Sequence, residues 1–503
     1  MRRRSLLSTL AAASLGGFAG CSALDVSGTE TREPLEVDTT KEEKPTTQPF
    51  VRNVGDSSVP VTEPLVGPPR RLVILPPAQT PAGVDVQVGF SVRGNDERPT
   101  TIRLVYRNAG SETIEAEFGP TPPLSNYVAW DTKAKRRLFV VPVTDAEPTK
   151  GIRYDNCWEP NFRGIATPGE GTHEVRIPPG KAVVHDYAIV TPTDEPGCLP
   201  PGQYVVSSNS GWSFGLSVFD PRDNQPGESQ FAGFEAPALP MDDSAEIRWY
   251  HEVERTDAIY TKPSTEQLGL HDRPLELTFQ NWAGRAVTIE ASTWNLYKLV
   301  DGRWRFIAPW ARGGNVTTVW PGESRSVRLA LSNGRRLPAA DYRTGPEDEA
   351  DFAVPGLGPG TYAVAYGRFK RNPSTEQSET VVPAVLLKLI GDAPTLTPVD
   401  VDRTETDGDS LHVYTTVENF GDVEAETTAP GGTVLAREQV MQFPVLRNTL
   451  YHLEDGSHSR VVLHTSQERV GQLRDRLSQL GVRPEGENVR FRYEGSGYRL
   501  RLG

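Results

Sequence analysis

Two stretches of the chain carry the same three landmarks in the same order, and this repeat constrains the fold more than any other feature. Each copy begins with an alternating apolar strand that breaks at an asparagine near a glycine, which is a turn signal. A Pro-Gly turn then precedes another alternating strand, and a further Pro-Gly is followed two residues later by tyrosine. The paired segments are 104–110 with 277–284, 178–180 with 320–322, and 199–204 with 357–362.

The last landmark resembles the start of a late strand in immunoglobulin-like sandwiches. In such modules a tyrosine hydroxyl bonds back to the preceding corner of the chain. The resemblance implies this role for Tyr204 and Tyr362. The second copy as a whole is similar to bacterial and archaeal immunoglobulin-like surface modules. We therefore expect two immunoglobulin-like β-sandwiches.

One hairpin in the second copy can be derived residue by residue. Asp301-Gly302 is a two-residue turn of the type that needs positive φ. Pairing outward from this turn places four large apolar side chains on one face and three cationic ones on the other. The apolar face holds Tyr297, Leu299, Trp304 and Phe306, and the cationic face holds Lys298, Arg303 and Arg305.

The pattern changes after the second copy. Residues 392–410 are proline-containing and then acidic, and we expect an acidic linker there. Residues 411–417 are predicted to form a strand. Residues 448–453 and 459–464 are predicted to form a hairpin around Asp455-Gly456.

The only helix that the sequence clearly predicts follows this hairpin. Residues 465–468, Thr-Ser-Gln-Glu, match a capping box, and Gly481 is a stop signal. Between them one stripe is apolar, formed by Val470, Leu473, Leu477 and Leu480. Two strands at 488–493 and 498–502 complete a small α+β unit.

The predicted fold class is therefore mainly β, with two immunoglobulin-like sandwiches followed by a small α+β unit. The expected plan is a lipoprotein signal peptide at 1–21, a disordered tether at 22–64, sandwiches at 65–240 and 241–391, the acidic linker at 392–410 and the α+β unit at 411–503.

The first 21 residues form an export leader. Three arginines, Arg2–Arg4, precede an apolar stretch too short to span a bilayer. The arginine pair resembles a twin-arginine signal, and residues 18–21, Phe-Ala-Gly-Cys, resemble a lipobox. The leader is most similar to those of twin-arginine-exported lipoproteins from halophilic archaea. That resemblance implies lipidation of Cys21 and anchoring at the extracellular face of the cell membrane. The alternatives are an uncleaved N-terminal anchor or a plain secretory signal.

Two further cysteines, Cys157 and Cys198, are an even pair in a chain expected to be exported. Disulfides persist in that environment, so we predict a bond between them. The alternative is two unrelated free thiols.

The formal net charge of −13 argues against nucleic acid as a partner, because an acidic chain repels phosphates. The membrane, reached through lipidated Cys21, and an unidentified surface protein or glycan are the expected partners. No cofactor is predicted.

Residues 211–215, Gly-Trp-Ser-Phe-Gly, match the G-x-S-x-G nucleophile motif. That motif needs a strand before the serine and a helix after it, whereas the flanking residues alternate like two strands. We predict a hairpin here and no catalytic residues.

Other motifs favour bland interpretations. The acidic run from Asp400 to Asp409 lacks the spacing of an EF-hand loop and is expected to be solvated. The histidines at 452, 458 and 464 are not expected to meet, so no metal site is predicted. Asn315 begins the chain's only glycosylation sequon and is a candidate glycosylation site on a loop between strands.

Five tryptophans fall close together in the second copy, between residues 282 and 320, at 282, 294, 304, 310 and 320. Sandwich core is the expected place for them, and the alternative is a binding role for Trp310 or Trp282.

These features predict a non-enzymatic, lipid-anchored surface protein that presents sandwiches for binding or envelope structure. One alternative is a secreted protease inhibitor or accessory subunit, using the acidic loop Tyr342–Phe352. The other alternative is a hydrolase, and Ser213 is the only residue that favours it.

Overall fold

The chain is mainly β, as predicted, with 34 strands and three α-helices in the part that the structure describes. The computed structural model describes residues 58–61, 70–77, 80–95, 97–143, 149–150, 157–160, 172–195, 197–241, 244–270, 273–310, 315–334, 350–371, 379–416, 421–454, 456–486 and 488–503. The leader with Cys21 and most of the predicted tether lie outside these ranges. Within them, no helix is both long and apolar enough to cross a membrane.

The first group of strands forms one large sheet of order β1-β2-β13-β12-β6-β7-β11-β4-β3, with the pairs β5–β10 and β8–β9 beside it. The strands are β1 (Ser58–Val61), β2 (Arg70–Leu75), β3 (Val84–Val92), β4 (Thr101–Asn108), β5 (Ile114–Phe118), β6 (Val128–Asp131), β7 (Arg137–Pro142), β8 (Thr149–Lys150), β9 (Glu159–Pro160), β10 (His173–Ile177), β11 (Ala182–Val190), β12 (Gly202–Ser208) and β13 (Trp212–Phe219).

This large sheet folds over on itself to enclose a core. The ring of Tyr106 on β4 lies 6.3 Å from that of Trp212 on β13, although the two strands are far apart in the sheet order. Both side chains are buried in one apolar cluster. Strand β1 (Ser58–Val61) lies within residues 22–64, which were predicted to be a disordered tether. These four residues pair with β2 and are therefore ordered. That part of the prediction is therefore wrong.

The second group forms a sandwich of one larger sheet and two smaller ones. Its larger sheet follows the order β14-β26-β24-β19-β20, with β16 and β25 also on β26, and its smaller sheets follow β15-β17-β22-β23 and β18-β21. The strands are β14 (Ala245–Trp249), β15 (Ile259–Pro263), β16 (Gln267–Gly269), β17 (Leu275–Asn281), β18 (Val287–Glu290), β19 (Trp294–Val300), β20 (Arg303–Ala308), β21 (Val316–Val319), β22 (Glu323–Leu331), β23 (Phe352–Val354), β24 (Gly360–Tyr366), β25 (Phe369–Lys370) and β26 (Thr380–Ile390).

The repeat predicted from sequence is visible in matching hydrogen bonds. Tyr204 Oη donates to Pro200 O and Tyr362 Oη donates to Gly358 O, each at 2.7 Å, so both tyrosine corners are confirmed. The asparagine of the first landmark also has the same environment in both copies. Asn108 and Asn281 are both fully buried. Each amide nitrogen donates to two backbone carbonyls, at 2.7 and 2.8 Å in the first copy and 2.9 and 2.8 Å in the second.

The hairpin derived in the second copy has the predicted register. Val300 pairs with Arg303, Leu299 with Trp304 and Tyr297 with Phe306, and both turn residues have positive φ. The apolar face, however, does not face the second sheet. It packs beneath residues 231–241 in a separate cluster, while Leu296 on the opposite face enters the main core.

The third group is an eight-stranded sheet of order β27-β28-β31-β29-β34-β33-β30, with β32 on β33. Its helices cover one face and share its core. The elements are β27 (Val401–Asp407), β28 (Ser410–Thr415), β29 (Gly421–Thr428), β30 (Thr433–Val434), α1 (Arg437–Met441), α2 (Pro444–Glu454), β31 (Arg460–Thr465), α3 (Gln467–Gln479), β32 (Pro484–Glu485), β33 (Asn488–Tyr493) and β34 (Ser496–Leu502).

Two predictions in this region are wrong and one is confirmed. Residues 448–453 belong to helix α2 and not to a hairpin strand. The predicted acidic linker contains β27, which pairs with β28 as an edge strand. Helix α3 is confirmed, and Gly481 follows it with a φ of 75°. Its cap lies one residue later than the predicted capping box, because Ser466 and not Thr465 accepts a backbone N–H, that of Arg469 at 3.2 Å.

Candidate functional site

The third group docks onto the tyrosine corner of the second sandwich through α1. Glu438 is 1% exposed, and its Oε1 accepts the Gly358 N–H at 3.0 Å and the Lys298 ammonium at 2.5 Å. Burial raises the pKa of Tyr362 well above its usual range, and the Glu438 carboxylate raises it further. A buried charge is tolerated only when it is paired and hydrogen-bonded, so these contacts hold the two groups in a defined orientation.

Two glutamines of the α1 region bond the backbone of the second sandwich. Gln439 Nε2 donates to Phe306 O at 2.9 Å, and Gln442 Nε2 donates to Pro355 O at 3.0 Å. The Phe306 carbonyl lies on β20, the outermost strand of its sheet. A side-chain amide thus satisfies a carbonyl that a neighbouring strand would otherwise bond.

Residues 392–400 also bind to the third group. Asn448 on α2 exchanges two hydrogen bonds with the backbone of Val399, at 2.8 and 2.9 Å. The buried Arg447 donates to Thr397 O at 3.0 Å, and Leu396 lies in the third core. The connection between the two groups is therefore a fixed strap and not a loose linker.

Trp310 is wedged between the two groups. Its ring lies 5.0 Å from that of Phe306 on the second sandwich and 5.1 Å from that of Phe443 in the third group. The Arg476 guanidinium on α3 lies 5.4 Å from the indole and donates to the Trp310 carbonyl. The side chain is only partly buried, and it packs against both cores.

A cleft of about 640 Å³ opens beside Trp310, where the second sandwich meets the third group. It is lined by Pro240, Tyr297, Trp304, Arg305, Phe306, Pro309, Trp310, Val434, Leu435, Gln439, Gln479 and Leu480. A second cavity of about 340 Å³ shares Pro240 and Tyr297 with it. The volume is within the range of small-molecule binding sites. Nine of the twelve lining residues are apolar or aromatic, and Arg305, Gln439 and Gln479 contribute polar groups.

Two buried donors in the cleft lining have no hydrogen-bond partner within the described part of the chain. They are Arg305 Nε and Trp310 Nε1. A buried N–H without an acceptor costs about 1–3 kcal/mol, so such groups call for an explanation. Indole rings beside two donors suit a ligand that combines an apolar surface with oxygen acceptors.

The structure separates the five tryptophans between residues 282 and 320. Trp294 is 1% exposed in the core, and Trp304 is buried and donates to Pro237 O at 2.8 Å. Trp282 donates to Gln280 Oε1 at 2.8 Å and packs on Phe219 of the first group. Only Trp310 combines partial exposure with a place in the cleft, which favours it for the binding role that the sequence left open.

The G-x-S-x-G segment has a structural explanation. Ser213 lies on β13 of the antiparallel β12–β13 hairpin and pairs with Ser207, so the geometry of a nucleophile elbow is absent there, as predicted. A Cβ on Gly215 would lie 3.0 Å from the Trp320 ring of the second copy. The neighbouring Pro321 carbonyl accepts Gln203 Nε2 at 2.8 Å and the buried Ser217 hydroxyl. The motif therefore packs one sandwich against the next.

His464 has partners that the sequence did not suggest. Its Nδ1 lies 2.8 Å from Asp422 Oδ1, and its Nε2 lies 3.0 Å from Nδ1 of His412 on the parallel neighbour β28. Across the described ranges, no group of three His, Cys, Asp or Glu side chains is arranged to hold a metal ion. Asp400 in the acidic run pairs with Arg469 at 2.7 Å.

Of the remaining predicted sites, the structure describes the disulfide and the glycosylation sequon but not the lipidation site. The Cys157–Cys198 disulfide is present, with the two Cα atoms 5.0 Å apart. Asn315 is exposed immediately before β21. Cys21 lies outside the described residues, as does most of the Tyr342–Phe352 loop.

Comparisons with known proteins add little. No family model matches the chain, and no curated protein matches it. Ten solved chains match by structure. One is a polysaccharide lyase with 8% identity and a TM-score of 0.13, covering 64% of this chain. This chain spans 39% of the length of that lyase. A similarity this weak supports no argument about fold or activity.

Proposed function

We propose that this chain is an exported, lipid-anchored and non-enzymatic surface protein that binds an envelope oligosaccharide in the cleft beside Trp310. The observation that carries the binding proposal is the pair of unpartnered buried donors, Arg305 Nε and Trp310 Nε1, in an aromatic lining. Sugar rings stack on indole through their C–H faces and offer hydroxyl acceptors to such donors.

Two further observations support export and binding. The Cys157–Cys198 disulfide is typical of proteins that function outside the reducing cytosol. The contacts of Glu438, Gln439 and Gln442 hold both walls of the cleft in place before any ligand arrives. A preformed site loses less conformational entropy on binding.

The binding test uses labelled chito-, cello- and manno-oligosaccharides with the folded protein. We expect at least one series to bind wild type, and Trp310→Ala to weaken that binding at least about tenfold, as truncation of an interfacial Trp commonly does. Trp130→Ala is the matched control, because Trp130 is 54% exposed on the first group and is not part of the cleft lining. Failure of all three series to bind, or equal loss in both variants, would contradict the proposal.

The anchoring test is separate. Cys21→Ser should release the protein from membranes into the soluble fraction without changing its oligosaccharide binding. Unchanged membrane attachment of Cys21→Ser, or an intact Met1 on the purified protein, would refute lipidation.

A further inference from the structure

The cleft beside Trp310 contains one charged side chain, and that charge is positive. Among the residues that line the cleft, Arg305 is the single ionised group and none is acidic. The whole chain has 66 aspartates and glutamates against 53 lysines and arginines, so its composition does not favour a lining free of acids. The charge of the lining is therefore opposite in sign to the net charge of −13.

Arg305 has no counter-ion in the described part of the chain. It lies on β20 directly opposite Lys298 on β19, and like charges in that arrangement repel each other. Glu438 pairs with Lys298 and so offsets only that charge. The Arg305 side chain is partly buried, and its Nε is buried without an acceptor. A partly buried guanidinium that the fold leaves unpaired is destabilising until an anion from outside pairs with it.

Another arginine in the same chain shows how such a group binds a carboxylate. Arg103 Nε donates to Asp186 Oδ1 at 2.7 Å, and its Nη2 donates to Oδ2 at 2.8 Å. The Nε–H of a guanidinium and the neighbouring Nη–H point the same way, so together they match the two oxygens of one carboxylate. In Arg305 the Nε of this edge has no acceptor, and the residue lines the cleft.

We propose that the oligosaccharide bound in the cleft is acidic, and that Arg305 binds the carboxylate of a uronic acid residue. This inference rests on the proposed function and adds the charge of the ligand to it. The sugar ring stacks on the aromatic lining, Trp310 Nε1 donates to a hydroxyl oxygen, and the Arg305 fork binds the carboxylate. A small inorganic anion fills only a fraction of about 640 Å³, and it leaves the aromatic lining without a role.

The test compares manno-oligosaccharides with mannuronate oligosaccharides of the same linkage and length. The two series differ in one group per sugar ring, which is a hydroxymethyl group in the first and a carboxylate in the second. We expect wild type to bind the mannuronate series at least about tenfold more tightly, because hydrogen bonds to a charged group contribute at least that factor. Cello-oligosaccharides and the matching glucuronate oligosaccharides form a second pair. Titration calorimetry at about 0.1 M salt gives all four affinities.

Three variants locate the source of this preference. Arg305→Gln should weaken binding of the mannuronate series at least about tenfold and so remove most of the preference. Arg303→Gln makes the same change in charge on the same strand, at an exposed position outside the lining, and should bind both series like wild type. Arg305→Lys keeps the charge but not the two-donor edge, so its preference should be intermediate.

Methyl esters of the mannuronate series remove the charge without any change in the protein, so they guard against misfolding of a variant. They should bind wild type no more tightly than the neutral series. Equal affinity of wild type for charged and neutral series, or an unchanged preference in Arg305→Gln, would overturn this inference and leave the proposed function standing. Tighter binding of sulfated manno-oligosaccharides than of mannuronates would overturn the assignment to a carboxylate. If wild type binds no series, charged or neutral, the inference and the proposed function both fail.

Discussion

The two sandwiches share their internal hydrogen bonds but treat corresponding edges in opposite ways. In the first, the hairpin β6–β7 continues into β11, so the outer edge of β7 is paired. In the second, the corresponding hairpin β19–β20 ends at β20, whose Phe306 carbonyl is bonded by Gln439 of α1. The open edge is where the third group docks and where the cleft forms. The two copies therefore share the hydrogen bonds of their landmarks, and the unpaired edge of β20 is where only the second copy forms a cleft with the third group.

The disulfide is the largest energetic difference expected between the two sandwiches, because it closes a loop only in the first copy. Removing it by Cys157→Ser with Cys198→Ser should lower the free energy of unfolding by about 4 kcal/mol, from the chain-entropy estimate for a loop of this length. Denaturant unfolding gives the size, and hydrogen exchange gives the location. Protection should fall first among β4, β11 and β12. An equal fall among β17, β22 and β24 would mean that the copies are not energetically distinct.

The buried asparagines test whether the two copies depend equally on their shared hydrogen bonds. Asn108→Ala and Asn281→Ala each leave one buried carbonyl, one partly buried carbonyl and one backbone N–H without their partner. Each should cost about 3 kcal/mol, since every unsatisfied buried group costs about 1–3 kcal/mol and local relaxation recovers part of it. Chemical denaturation of both variants measures this. Asn281→Ala without effect would show that the landmark is not structural in the second copy.

Docking of α1 exists only in the second copy. Lys298→Met removes the cationic partner of buried Glu438 and should destabilise the protein by about 2 kcal/mol, less than for a fully buried pair because Lys298 is partly exposed. Thermal unfolding of Lys298→Met beside Lys370→Met, an exposed lysine in the same sandwich, checks this. Equal melting temperatures for the two variants would argue against a tight junction.

The tyrosine corners should respond alike and more weakly. Tyr204→Phe and Tyr362→Phe each remove one hydroxyl bond to a carbonyl, which is worth about 1 kcal/mol. Urea midpoints of both variants test this expectation. A loss confined to one of them would show that only one corner is formed in solution.

The smallest expected effect is on the stability of the protein at acid pH. Arg222, by hydrogen bonding, and then Arg70 hold the pKa of Asp220 below its usual value. Asp220 therefore adds stability above the carboxyl pKa of the unfolded chain, and this is lost as the pH falls through the lower folded value. The corresponding position in the second copy is Gly391, so only the first has this term. Asp220→Asn should reduce the loss of stability between neutral and acid pH, and an unchanged pH profile would argue against it.

Local patterns predicted much of the fold. The Asp301-Gly302 turn set the hairpin register, and a cap, an apolar stripe and Gly481 defined α3, because each signal acts within a few residues. Helix α2 was missed although Val445, Leu446, Leu450 and Leu453 have helical spacing, because 448–453 also suits a strand. Strand β27 was missed because its exposed, charged residues carry no apolar alternation.

The cleft could not be predicted, since it depends on contacts between distant residues. Gln439 and Phe306 meet only because α1 docks at an unpaired edge. His412 and His464 likewise meet only through parallel pairing of β28 with β31. The tryptophans were the one local signal, and Trp310 among them could be singled out only by its partial exposure.

The most direct test is whether the second sandwich and third group form one fixed unit, since the cleft exists only if they do. Spin labels at Arg303→Cys and Ser478→Cys, in a Cys21→Ser background, measure the distance between them by pulsed electron resonance. We predict one narrow distance distribution, as narrow as that of the pair Arg303→Cys and Glu276→Cys within the sandwich. A broad distribution would mean that the groups move independently and that the cleft is not a preformed site.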